Sequence, residues 1–154
     1  MELLTSEQRY KVGVAMTASH DFSQEAEALF KRWAERHNLH YDIRDEENVE
    51  VLWEFPQQTK LWLPVTLGLQ DLNVLNFGVA DFWSFIHPFE TNATYFENLL
   101  DAWLSGNARV AVLRWGGRTL QMRDGSTWKT VYWANVWPLP ILRKPKSFIV
   151  NQQS

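Results

Sequence analysis

The segment from Arg109 to Trp137 constrains this chain more than any other, because its turns are spelled out in residue types that few other backbone conformations favour. Gly116-Gly117 and Asp124-Gly125 suit two-residue hairpin turns, which require positive φ. Between them the apolar pattern has period two: Ala111, Leu113 and Trp115 alternate with Val110, Val112 and Arg114, and Leu120 and Met122 alternate with Thr119, Gln121 and Arg123. Alternation of this kind predicts a three-stranded antiparallel meander. Its third strand is apolar on both sides, with Trp128, Tyr132, Ala134 and Val136 assigned to one face and Val131, Trp133 and Trp137 to the other. A strand without a water-facing side needs a helix layer on one face and a second sheet, a subunit or a ligand on the other.

The preceding chain supplies elements for such a layer. Tyr10, Val12, Val14 and Met16 fit a short first strand. From Phe22 the period becomes helical: Phe22, Ala26, Leu29, Phe30, Trp33, Ala34 and His37 line one side, with Asp21 or Ser23 to cap the start and Asn38 to stop the helix. Leu39, Tyr41 and Ile43 fit a brief alternation, and the acidic run Asp42 to Glu47 reads as a solvated loop. A cation site aided by His37 and His40 is the weaker reading of that run, because its carboxylates follow no defined ligand spacing. Strands are expected at Val49–Phe55 and Leu61–Leu67, joined by Pro56–Thr59, with Pro64 marking an edge or a bulge. Gly68 to Asp71 is expected to turn into a strand from Leu72 to Val79. Asp81 to Glu90 fits neither period and is expected to form an apolar loop or short helix ended by Pro88. A second amphipathic helix is expected from Asn92 or Thr94 to Ser105, with a Thr94/Glu97 capping box and Gly106 just beyond its end.

These elements predict an α+β fold: an antiparallel, curved sheet of about six strands with two amphipathic helices, in the order α-βββ-α-βββ and with room for an extra N-terminal strand. The order repeats, although residue identity between the halves is poor. At 154 residues a single domain spanning 1–154 is expected, with about 140–154 as an extended tail.

Composition argues against several classes of function. A net charge of −3 and a pI of about 5.8 provide no global field for nucleic acid, and the only local run of cations is Arg143, Lys144 and Lys146. The absence of cysteine removes disulfides, thiolate metal sites and cysteine nucleophiles. There is no basic-then-apolar leader and no long apolar span, so a soluble cytoplasmic protein without membrane contact is the expectation. Glycine-rich phosphate loops, metalloprotease motifs and nucleophile elbows are missing, and no motif ties the chain to a known family; no metal and no cofactor are expected.

Nine Trp and nine Phe make aromatic surface the one unusual feature. Trp53, Trp62, Trp83, Phe85, Tyr132 and Trp133 are therefore the candidate ligand or interface residues of a binding module. It is expected to work as a homo-oligomer, most simply a dimer, and to take a small apolar or cationic-aromatic ligand or a partner protein. The rival reading is a small hydrolase or isomerase in which His87 acts with Asp81 or Glu90, their acidities tuned by Trp83, Phe85 and Phe89. Ser19-His20-Asp21 is read as a capped loop, because adjacency along the chain rarely gives triad geometry.

Overall fold

The computed structural model describes residues 20–134 and 144–152. The expected first strand at Tyr10 to Met16, together with Val136, Trp137 and Arg143, lies outside them. The first helix, α1, spans Ser23–His37 and buries Ala26, Leu29, Phe30, Trp33 and Ala34, which is the stripe its period implies. Phe22 is its N-cap residue, and Asp21, one position before, accepts the Ser23 backbone N–H at 2.9 Å. Asn38 ends it in the left-handed region (φ 54°), and Leu39 N donates to Ala34 O at 2.8 Å, closing a Schellman-type turn.

Five strands follow: β1 (Asp42–Glu46), β2 (Val49–Phe55), β3 (Val65–Gln70), β4 (Val74–Val79) and the two-residue β5 (Phe82–Trp83). They form one antiparallel sheet in sequence order. Helix α2 (Phe89–Leu104) crosses next. The strands β6 (Ala108–Leu113), β7 (Arg118–Asp124), β8 (Thr127–Ala134) and β9 (Pro145–Ile149) then make a second antiparallel sheet, ordered β8-β7-β6-β9. Both helices pack on the first sheet, and α2 also packs on β6. Val51, Trp53, Phe55, Leu67, Leu69, Leu75 and Phe77 from the first sheet join Phe30, Trp33, Phe96, Leu100 and Trp103 from the helices, and Ala108, Val110 and Leu120 from the second sheet, in one buried cluster.

The fold class is as expected, but several elements differ. Two sheets of five and four strands replace one sheet of six, because β5 ends the first sheet and β6 pairs with β9 instead of returning to it. The acidic run is not a loop. Asp42–Glu46 is an edge strand exposed along its whole length, so water solvates its side chains while β2 takes its backbone bonds. The strand expected from Leu61 begins only at Val65: Pro64 has no N–H to give a ladder, and Leu61, though buried, exchanges backbone bonds with Gln58. Gly68 lies inside β3 and not in a turn, where its missing Cβ leaves room for Asn76 across the ladder (an added Cβ would stand 3.2 Å from Asn76 Oδ1). The turn itself falls at Asp71-Leu72, with φ of 50° and 64°, and β4 starts two residues late.

Helix α2 starts three or more residues early. Its first N–H, on Phe89, is accepted by Asn73 Oδ1 at 2.6 Å, a cap supplied from another loop, while Glu97 of the expected capping box pairs with Arg32 of α1 at 2.8 Å. Gly116-Gly117 does not form a two-residue turn either. Arg114–Gly116 is a turn of 3₁₀ helix, and Leu113 N donates to Gly117 O at 2.8 Å. The next hairpin turns one residue late, on Gly125-Ser126, with Asp124 paired to Thr127. Finally, the residues expected in a tail include β9, which extends the second sheet.

Candidate functional site

The side-chain assignment on β8 fails at one point, and that point shapes the surface. Leu120 pairs with Tyr132 but Gln121 pairs with Thr130, so Val131 is an extra residue in the ladder. A bulge of this kind reverses the faces of the residues on either side of it. Tyr132 turns inward and meets Phe82 edge-on at 5.9 Å, whereas Trp128 stands on the outer face with Trp133. Strict alternation had placed Trp128 with Tyr132.

This geometry creates a groove of about 290 Å³ between β5, the last strand of the first sheet, and β8, the first strand of the second. Its walls are Trp83 and Phe85 on one side and Tyr132, Trp133 and Ala134 on the other, with Phe82, Asp81 and Arg118 between them. Trp83 is held by packing: a Cβ on Gly78 would lie 2.5 Å from its ring, and its Nε1 donates to Gln70 Oε1 at 3.4 Å. Beyond Trp83, the chain is pinned to β4. Ser84 is buried, its Oγ accepting from Phe77 N at 3.0 Å and donating to Phe77 O at 3.2 Å, and Asn76 Nδ2 donates to Ser84 O at 2.9 Å. This network turns Phe85 outward, where it is 50% exposed; Trp133 opposite is 48% exposed.

Across the groove runs an ion pair. Arg118 Nη2 donates to Asp81 Oδ2 at 2.6 Å and its Nε to Oδ1 at 3.3 Å, while Nη1 donates to Gly116 O and Gly117 O at 3.0 Å. The guanidinium holds the Asp81 carboxyl below the usual carboxylate range, chiefly by hydrogen bonding. Arg118 had no signal in the sequence, because its partner lies thirty-seven positions away.

Of the residues singled out in the sequence, Asp81, Trp83, Phe85, Tyr132 and Trp133 therefore line one groove. Trp53 does not reach it; the ring is 3% exposed and stacked on Tyr41 at 4.2 Å. Trp62 lines a separate cleft of about 390 Å³ with His37, Lys60, Asp101 and Asn151. There His37 Nε2 contacts Asp101 Oδ1 at 2.8 Å, and Asn151 accepts from Trp62 N and donates to Lys60 O. Thus His37 faces α2 and not the acidic strand. His87 and Glu90 are exposed, and among the described residues no hydrogen bond or ion pair links either to Asp81, which Arg118 occupies. The acid–base grouping expected of these three is not assembled. Among the described residues no group of three or more His, Cys, Asp and Glu is placed to hold a metal ion, and no helix is long and apolar enough to cross a membrane.

Comparison with protein-family models, with curated proteins and with solved structures finds no match to this chain.

Proposed function

We propose that the protein is a non-catalytic binding module whose site is the groove between β5 and β8. The occupant is a small flat ligand, apolar or cationic-aromatic. One observation carries this reading: five residues chosen in the sequence for aromatic or acidic character, from two stretches more than forty positions apart, converge on one groove. At about 290 Å³ the space sits at the small end of ligand pockets, enough for one or two rings. Trp83, Tyr132 and Trp133 offer π-faces that suit a ring or a soft cation. Asp81 and Arg118 neutralise one another, so the groove has polar atoms for orientation without a strong net charge.

Saturation-transfer NMR with benzyltrimethylammonium, benzyl alcohol and benzenesulfonate tests the reading. Saturation of the cationic and neutral probes, weakened roughly tenfold in a folded Trp83→Ser variant, supports it. Equal saturation of all three in wild type and variant, or none, contradicts it.

A further inference from the structure

The second sheet carries a feature the groove does not use. On the face turned away from α2, Arg109 of β6 is clamped between two rings: its guanidinium carbon lies 4.0 Å from the centre of Trp128 and 3.9 Å from that of Phe148. Arg123 lies over Trp128 from 5.0 Å, and Gln121 Oε1 accepts from Arg109 Nε at 2.8 Å. Burial first, and Arg123 second, lowers the affinity of Arg109 for its proton, yet an arginine stays charged at neutral pH. Among the described residues no carboxylate lies within ion-pair distance of Arg109 or Arg123.

Charge is also segregated along the chain. Residues 108–134 and 144–152 carry seven Lys and Arg against the single acid Asp124, while residues 20–107 carry five against fifteen acids. The net charge of −3 hides this division. Arg114, Lys129, Lys144 and Lys146 are exposed. A second copy of the chain meeting this face by two-fold symmetry would set cations against cations, which disfavours a dimer built there.

Register places two exposed rings at opposite ends of one row. Phe148 pairs with Ala111, Ala111 with Thr119 and Thr119 with Trp133. Three strand spacings separate the ends, about 14 Å, room for two bases to stack apart. A duplex hides its base faces, and an acidic peptide would use the cations but leave the rings idle.

We propose that the outer face of the β8-β7-β6-β9 sheet binds single-stranded nucleic acid, with Phe148 and Trp133 as stacking platforms and with Arg109 and Arg123, held against Trp128, as phosphate contacts. Fluorescence anisotropy of labelled short oligo(dT) and oligo(rU), titrated with the whole chain at about 50 mM salt, tests this, with the matching duplex and polyglutamate as competitors. Saturable binding is expected, with quenching of tryptophan emission by unlabelled oligonucleotide. For roughly two phosphates neutralised, affinity falls about sevenfold between about 50 and 200 mM salt. Phe148→Ala and the charge-conserving Arg109→Lys, each with a wild-type circular dichroism spectrum, are expected to weaken binding roughly tenfold, while Trp83→Ser in the groove leaves it unchanged. Absence of binding at low salt overturns the proposal. So does equal competition by duplex or polyglutamate, or binding that ignores Phe148→Ala and leaves tryptophan emission unquenched.

Discussion

The two sheets use the same large side chains in opposite ways. Around the first sheet, Trp33, Trp53 and Trp103 are buried to 3% exposure or less, and among the described residues their indole N–H groups find no acceptor. They serve as apolar bulk, and the unpaired donors are a cost that dense packing offsets. On the second sheet Trp133 and Phe148 are exposed and Trp128 is half-buried, and Trp128 and Phe148 lie against arginine. The difference follows from what covers each face. Two helices lie on the first sheet, whereas α2 packs on β6 of the second from its inner side. The first sheet therefore supplies most of the core, and the second leaves large rings on its outer face.

The sharpest test of this division is a pair of truncations. Trp103→Ala, which removes a ring packed edge-on against Phe77 at 5.4 Å, is expected to cost about 3–5 kcal/mol in urea unfolding. Phe148→Ala on the outer face should cost under about 1 kcal/mol. Similar losses for the two would erase the distinction.

A smaller effect is expected where the halves are tied together. Asn151, 6% exposed, accepts from Trp62 N at 2.8 Å and donates to Lys60 O at 2.9 Å, fastening the chain beyond β9 to the loop before β3. Asn151→Ala leaves those groups without their partner and should lower stability by about 1–3 kcal/mol. Hydrogen exchange at Trp62 N–H should quicken with it; unchanged exchange would mean that the tie is incidental.

What the sequence made legible, and what it did not, follows the same physics. Amphipathic α1 was readable in full, because the Ala26-to-Ala34 stripe, Asp21 and Asn38 are local signals. The start of α2 was not, since its cap comes from Asn73 in a distant loop. Aromatic residues of the groove could be listed, but their convergence depends on a bulge at Val131 that no residue type announces. Arg109 escaped notice because its two rings come from β8 and β9, brought beside β6 only by strand pairing. Trp53 shows the converse: an aromatic residue in a strand gives no hint of which face the helices will cover.

The smallest effect concerns the ion pair that spans the border. Asp81 is largely exposed, so the pair is screened, and Asp81→Asn should cost less than about 1 kcal/mol at neutral pH. Because the folded carboxyl holds its proton less tightly than the unfolded one, the contribution is present above the unfolded value, about 3.9, and is lost as pH falls through the folded value. Chemical denaturation of wild type and Asp81→Asn should therefore converge at strongly acid pH. A gap that persists there would show that the substitution acts through packing and not through charge.

Native mass spectrometry of the protein as purified, beside a folded Trp83→Ser variant, tests most directly whether the groove between the sheets is a binding site. The wild type is predicted to carry a non-covalent small-molecule mass that is released on denaturation and that Trp83→Ser does not hold. Bare chains in both samples, or the same added mass retained by the variant, would contradict that assignment.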